Sequence, residues 1–170
     1  GMATCFNEND VRPMGRTAVG VRGIRLREGD YVVGAGSTST GSALLTITEN
    51  GYGKRTACTE YGVKGRGGIG LKNYNVTEKT GNVADVKIVT GDEDVLVVTD
   101  DATIIRIPVD GISLLGRSTQ GVRIMRTAAG SRVISIETTE KNPEEEMELP
   151  GAQENDAAPE DAEVPGTDEE

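Results

Sequence analysis

The chain has no histidine and no tryptophan, one phenylalanine, four tyrosines and two cysteines. Without histidine there is no imidazole to act as a base or a metal ligand near neutral pH. Cys5 and Cys58 belong to no C-x-x-C pair, which argues against a zinc site and against a disulfide-stapled secreted scaffold. No nucleophile–base pair can be assembled from the motifs present. No run reaches the roughly 18 apolar residues of a membrane span, and no signal peptide is visible. A soluble protein of a reducing cytosol, without membrane contact, is the expectation. With so few aromatics, the core must come from Val, Ile and Leu on many short strands.

What the chain does have is an internal repeat. Gly15-Arg16-Thr17-Ala18-Val19-Gly20-Val21 recurs as Gly65-Arg66-Gly67-Gly68-Ile69-Gly70-Leu71 and as Gly116-Arg117-Ser118-Thr119-Gln120-Gly121-Val122, at spacings of 50 and 51 residues. A fixed period of this size marks blades or solenoid units, each of which needs a neighbour to cover its apolar face. The flanks repeat as well. Ala43-Leu44-Leu45-Thr46-Ile47-Thr48, then Asn50-Gly51, then Tyr52-Gly53-Lys54-Arg55-Thr56 reads as strand, tight turn, strand. Val95-Leu96-Val97-Val98-Thr99, Asp100-Asp101 and Thr103-Ile104-Ile105-Arg106-Ile107 read the same way. Further β-branched runs lie at Asp30-Tyr31-Val32-Val33, Asp85-Val86-Lys87-Ile88-Val89 and Arg132-Val133-Ile134-Ser135-Ile136. No stretch keeps apolar residues at helical spacing, and 23 glycines punctuate the chain. The expected fold is all-β, with about four short antiparallel strands per unit and units at about 1–50, 51–100 and 101–139. In this register Gly1 corresponds to Gly51, so the strand expected before that turn falls outside the sequence. The chain therefore reads as a piece of a larger array, with Ala3-Thr4-Cys5-Phe6 expected as an unpaired edge.

Charge divides the chain in two. Residues 140–170 carry 13 of the 28 acidic residues, four of the six prolines and a single basic residue, Lys141. That segment, with a net charge of about −12, cannot bury enough apolar surface to offset the entropy of ordering and is expected to be disordered. Residues 1–139 are then slightly basic, at about +2, despite the formal −10 of the whole. A basic residue recurring inside a glycine turn, once per unit, lays a basic track along the rim. Such a track suits a long polyanion better than a small substrate.

The residues also carry a resemblance. Met14-Gly15-Arg16-Thr17-Ala18-Val19-Gly20-Val21-Arg22-Gly23-Ile24-Arg25-Leu26, Thr48-Glu49-Asn50-Gly51-Tyr52-Gly53-Lys54-Arg55-Thr56 and Leu115-Gly116-Arg117-Ser118-Thr119-Gln120-Gly121-Val122 resemble the C-terminal domain of bacterial DNA gyrase A. The likeness runs in order over roughly residues 1–138. It implies a β-pinwheel, a propeller-like ring whose blades exchange strands and whose basic outer face bends DNA. This chain would supply the last two to three blades and the acidic tail. The family's wrapping sequence, Gln-Arg-Arg-Gly-Gly-Lys-Gly, is not in the chain; Lys64-Gly65-Arg66-Gly67-Gly68-Ile69-Gly70 is the nearest match. The resemblance further implies a place in a topoisomerase (an isomerase) of the bacterial cytoplasm, associated with the nucleoid. The partners would be double-stranded DNA, the rest of the DNA gyrase A protein and the DNA gyrase B protein. The segment itself would be non-catalytic and need no cofactor, ATP and Mg²⁺ being used elsewhere in the enzyme. The alternatives are the corresponding DNA-binding domain of topoisomerase IV and a protein-binding propeller fragment.

Non-specific DNA binding needs phosphate contacts spread along an arc, with affinity drawn from counterion release. Arginine suits that work through its planar, permanently charged fork. The candidate contacts are Arg16, Arg22, Arg25, Lys54, Arg55, Lys64, Arg66, Lys72, Arg117, Arg123 and Arg126. The competing reading is that these cations only decorate strand edges against edge pairing. Gly65-x-Gly67-x-x-Gly70 matches a dinucleotide fingerprint, but no helix start follows it. Asp92-Glu93-Asp94 and Asp100-Asp101 flank hairpin strands and lack calcium-loop spacing. The acidic tail, tethered beside a basic rim, would compete with DNA at high effective concentration or serve solubility alone.

Overall fold

The computed structural model describes residues 1–142. The expected disorder of the acidic tail falls almost wholly outside them. Nine strands run in chain order: β1 Met2–Ala3, β2 Ala43–Thr48, β3 Tyr52–Ala57, β4 Leu71–Lys72, β5 Val83–Val89, β6 Glu93–Thr99, β7 Ile104–Pro108, β8 Val122–Arg123 and β9 Val133–Glu140. All pairings between them are antiparallel. The only helical elements among the described residues are three-residue 3-10 turns at Glu8–Asp10, Cys58–Glu60 and Val109–Gly111. No helix there is long and apolar enough to cross a membrane.

The strands form three sheets, β1-β4, β5-β2-β3-β8 and β7-β6-β9. Each hairpin is completed by a strand from later in the chain. β2 takes β5 on its free side and β6 takes β9. β8, which follows the third glycine motif, crosses to pair Arg123 with Tyr52 and Val122 with Gly53. β4, which follows the second motif, pairs Lys72 with Met2 and Leu71 with Ala3. The same strand exchange thus occurs twice, one period apart. Loop hydrogen bonds repeat with it: Lys64 N–H donates to Cys5 O at 2.8 Å, and Leu115 N–H to Arg55 O at 2.8 Å. Asn73 and Tyr74 N–H donate to Gly1 O as Ile124 and Met125 N–H donate to Gly51 O. The expected equivalence of Gly1 and Gly51 therefore holds bond by bond.

One expectation holds and one is corrected. The Ala3-Thr4-Cys5-Phe6 segment is an edge: β4 and the Lys64 amide cover one side, and among the described residues no strand pairs the side where a preceding strand is expected. The run Asp30-Tyr31-Val32-Val33 forms no strand, and Tyr31 and Val32 stand 64% and 58% exposed. β5 and β9 each pair with the first strand of the preceding hairpin, and for residues 30–33 the equivalent register falls before Gly1. Without a ladder partner the run makes local bonds instead, Asp30 N–H donating to Arg27 O at 3.1 Å and Tyr31 N–H to Asp30 Oδ1 at 3.0 Å. The first unit therefore lacks the four strands expected of it.

The core lies between the second and third sheets. Ala43, Leu45 and Ile47 of β2 meet Val95 and Val97 of β6 and Val133 and Ile136 of β9, with Val89, Val109, Ile112 and Met125 closing the layer. Period-two alternation puts these residues on one face. β2 departs from simple alternation: Thr46 and Thr48 on its other face are also fully buried. That strand is central and covered on both sides, so its outer positions need small side chains that can hydrogen-bond.

The β2–β3 loop spans three residues and closes with Gly51 at φ 74°; its amide donates to Thr48 O at 3.0 Å. This is a type I turn followed by a left-handed residue. At the matching place after β6 stands Ala102, the only non-glycine with positive φ among the described residues (64°). A Cβ in that region costs about 1–2 kcal/mol, partly offset by the extra unfolded-state freedom of glycine. Ala102→Gly is therefore expected to stabilise the fold by roughly 0.5–1 kcal/mol, read as a higher melting temperature. An unchanged or lower melting temperature would show that the turn carries no strain.

Candidate nucleic-acid interface

Each glycine motif places a turn at the same repeat position, although the second takes a positive φ at Gly67 (81°) where Thr17 and Ser118 of the others do not. Arg16-Thr17, Arg66-Gly67 and Arg117-Ser118 sit at the turn centres, and the closing glycines Gly20, Gly70 and Gly121 have φ of 89°, 78° and 71°. Glycine is required twice over at the last two. A Cβ on Gly70 would lie 2.4 Å from Ala3 O, and one on Gly121 2.5 Å from Gly53 O. The motif is thus the point where one unit's backbone meets the previous unit's strand.

The repeated arginines follow from that placement. Arg66 Nη1 donates to Arg22 O at 3.3 Å and its Nε to Asp10 O at 3.0 Å. One period on, Arg117 Nη1 donates to Lys72 O at 3.0 Å, and its Nε faces Glu60 Oε2 at 3.9 Å. Each guanidinium reaches back across a junction to equivalent positions of the preceding unit. Recurrence at one turn position therefore has a structural cause: Arg66 and Arg117 clasp adjacent units, with part of the fork bound to backbone carbonyls. Arg16 is exposed and makes no such contact among the described residues.

Lys54 departs furthest from its expected role. Its side chain is fully buried, with Nζ donating to Gly116 O at 2.6 Å and Arg117 O at 2.7 Å, 5.3 Å from the Tyr74 ring centre. It ties the third motif turn to β3 and leaves the set of contacts open to a polyanion. Around it Tyr74 Oη donates to Gln120 O, Tyr61 Oη bonds Asn73 Oδ1, and Asn73 Nδ2 donates to Thr46 Oγ1 at 3.1 Å. Half-buried Arg55 likewise donates from Nε to Ile112 O (2.7 Å) and from Nη2 to Asp110 O (3.0 Å). Burial is costly for the Lys54 ammonium. It pulls the pKa down to about 8, with Glu60 opposing and Arg117 adding to the effect. Burial pushes the Tyr61 and Tyr74 phenols up to about 12.

The pH dependence follows with definite sign. Between about pH 8 and 10.5 the unfolded chain holds the Lys54 proton more tightly than the folded chain, so this group's contribution to stability rises with pH. Between about pH 10 and 12 the folded chain keeps the Tyr61 and Tyr74 protons that the unfolded chain loses, so stability falls. The Cys58 thiol, raised by burial, also works against stability as pH rises above 9. The clean readout is a difference. In urea unfolding, the stability gap between wild type and Lys54→Met should widen from pH 8 to 10; a constant gap would refute it.

The remaining candidates, Arg22, Arg25, Lys64, Lys72, Arg123 and Arg126, are exposed. Arg22, Lys72 and Arg123 hold one repeat position, the last two as the second residues of β4 and β8. Arg25 and Arg126 share another, three residues on. Of the eleven candidates only Arg117 is in an ion pair among the described residues. The other paired cations are Lys87, Arg106, Arg132 and Lys141, none of them at the repeat's basic positions. Sequence reasoning missed Lys79, whose counterparts in the repeat are Gly29 and Gly130, so periodicity carried no signal for it.

Fold and site together define a propeller-like array of strand-exchanging β-blades, with exposed cations recurring at the repeat position of Arg22, Lys72 and Arg123. Comparison with known proteins gives the particular family. The chain belongs to the family described as DNA gyrase C-terminal domain, beta-propeller, whose model matches residues 6–39, 42–90 and 93–140. It is 48% identical over 133 residues to the DNA gyrase A protein of Staphylococcus epidermidis, covering 77% of this chain and 15% of that protein. Against the Staphylococcus aureus counterpart the identity is 46% over 145 residues, or 84% and 16% of the two chains. The chain thus spans about one-sixth of the length of these relatives. A solved structure of a DNA gyrase A C-terminal domain matches with TM-score 0.76 and 31% identity, covering 81% of this chain and 47% of that one. The C-terminal domain of a DNA topoisomerase IV matches with TM-score 0.73 and 25% identity, covering 82% and 44%.

Proposed function

We propose that this chain binds duplex DNA through its backbone phosphates, without sequence preference, and bends it along the blade rim. The observation that carries the reading is the row of exposed, unpaired cations recurring at Arg22, Lys72 and Arg123, flanked by Arg25, Arg126, Lys64 and Arg16. Spacing by one blade spreads charge along an arc, the arrangement that holds a curved polyanion. Within a whole DNA gyrase A protein this segment would wrap DNA for ATP-dependent negative supercoiling in the bacterial cytoplasm, at the nucleoid. Strand cleavage and ATP hydrolysis with Mg²⁺ would lie in the rest of that protein and in DNA gyrase B. The segment itself has no catalytic role in this scheme and takes no cofactor.

The test is binding of the whole chain to two unrelated duplexes between 50 and 200 mM salt. About five phosphate contacts predict a loss of roughly 10²–10³ in affinity across that range, equal for both sequences. Salt-insensitive binding, or none, would overturn the proposal and favour a protein-binding blade array. Truncation after Asn142 removes most of the acidic charge while keeping the Asn142 amide on Asp94 Oδ2. It should tighten DNA binding at low salt by removing a tethered competitor. Unaltered affinity would leave the tail a solubility role alone.

A further inference from the structure

A notch of about 260 Å³ opens where the second and third units meet, walled by Lys79, Arg123, Arg126, Asn50 and Thr127 around Tyr52. Tyr52 is nearly buried, and its ring is flanked by two cations, with Lys79 Nζ 5.4 Å and Arg123 Cζ 5.1 Å from the ring centre. Arg123 is further fixed by donating from Nε and Nη2 to Tyr52 Oη at 3.2 and 2.6 Å. Its Nη1 has no hydrogen bond among the described residues. No carboxylate lines the notch, and none of the three cations is in an ion pair among the described residues.

Three like charges around one small concavity repel each other, and the tyrosine ring offsets that repulsion for only two of them. The arrangement is electrostatically incomplete without an anion. It is also particular to this junction: the repeat replaces Lys79 by Gly29 and Gly130, and Tyr52 by Met2 and Thr103. A planar arginine fork, an ammonium and a second guanidinium lining one notch match the several oxygens of a tetrahedral phosphate.

We propose that this notch is a phosphate-binding site, taking either a phosphodiester of the DNA backbone or a free phosphate anion. For the phosphodiester, the site rests on the DNA reading above and marks where the duplex is gripped most tightly at this junction.

The experiment has two arms on the whole chain. In the first, inorganic pyrophosphate is titrated while the tyrosine ring resonances are followed by NMR. Wild type should show a saturable shift that the double variant Lys79→Gln/Arg126→Gln loses. In the second, Lys79→Gln should weaken duplex binding about three- to tenfold and lower the log–log salt slope by about one unit. Lys87→Gln, whose lysine is paired with Glu137 at 2.8 Å, should change neither. If the folded variants keep both the wild-type pyrophosphate response and the wild-type salt slope, the notch is overturned while the DNA reading stands. A pyrophosphate shift abolished by the double variant, in a chain that binds no duplex, would establish a free-anion site and defeat the DNA reading alone.

Discussion

Lys54→Met is expected to destabilise the folded chain by about 2–4 kcal/mol, lowering its melting temperature by several degrees to more than ten. The substitution nearly conserves volume, so packing changes little. What it removes are two hydrogen bonds from a charged donor, leaving Gly116 O and Arg117 O without that partner. Bonds of this kind contribute about 1.5–3 kcal/mol each, and relief of the ammonium's desolvation returns part of the loss. Because those carbonyls belong to the third motif turn, damage should concentrate at that junction. Hydrogen exchange should speed up at Ile124 and Met125, whose amides donate to Gly51 O, before it does in the β2–β5 ladder. A melting temperature within a degree of wild type would show that Lys54 is dispensable to the junction.

Replacing Arg22, Lys72 and Arg123 together by Gln is expected to flatten the salt dependence of DNA binding by up to about three units, one per phosphate contact. All three side chains are exposed, Lys72 and Arg123 on the short strands β4 and β8 and Arg22 outside any strand, and they are bonded at most to Asn75 and Tyr52, so stability should change little. The contrasting triple, Arg16, Arg66 and Arg117 to Ala, should do the reverse in part. It removes the bonds from Arg66 to Arg22 O and from Arg117 to Lys72 O, so the melting temperature should drop while the slope changes less. Measuring both quantities for both triples separates clasp from contact. If the Arg16 triple carries the larger slope change with the fold intact, this division of labour is wrong.

The unit of structure was legible because it is written in backbone chemistry. A glycine that must adopt positive φ at a strand junction leaves the same mark at Gly20, Gly70 and Gly121, and the apolar alternation around Val95 and Val97 has only one face to bury. Those demands are local, so they survive in the sequence at fixed spacing. The basic positions were legible as positions but not as roles. Arg66 and Arg22 are both arginines beside glycines; only the strand exchange brings the guanidinium of one onto the carbonyl of the other. Lys54 sits in an alternating strand where a lysine is ordinarily solvated. Its burial depends on a turn 62 residues later folding over it.

Residues 30–33 show the opposite limit. Their composition asks for a strand as strongly as residues 85–89 do, yet a strand exists only where another backbone satisfies its amides, and that partner is a property of the assembly. Lys79 was invisible for the same reason: nothing in its neighbourhood along the chain places it beside Tyr52 and Arg123. The sequence by itself therefore determined the repeat, the all-β class, the turn glycines and the charge of the rim and tail, since each arises from local conformation or summed composition. The tertiary structure decided which cations are buried, which clasp one unit to the next and which remain free, because those outcomes depend on contacts formed a full blade apart.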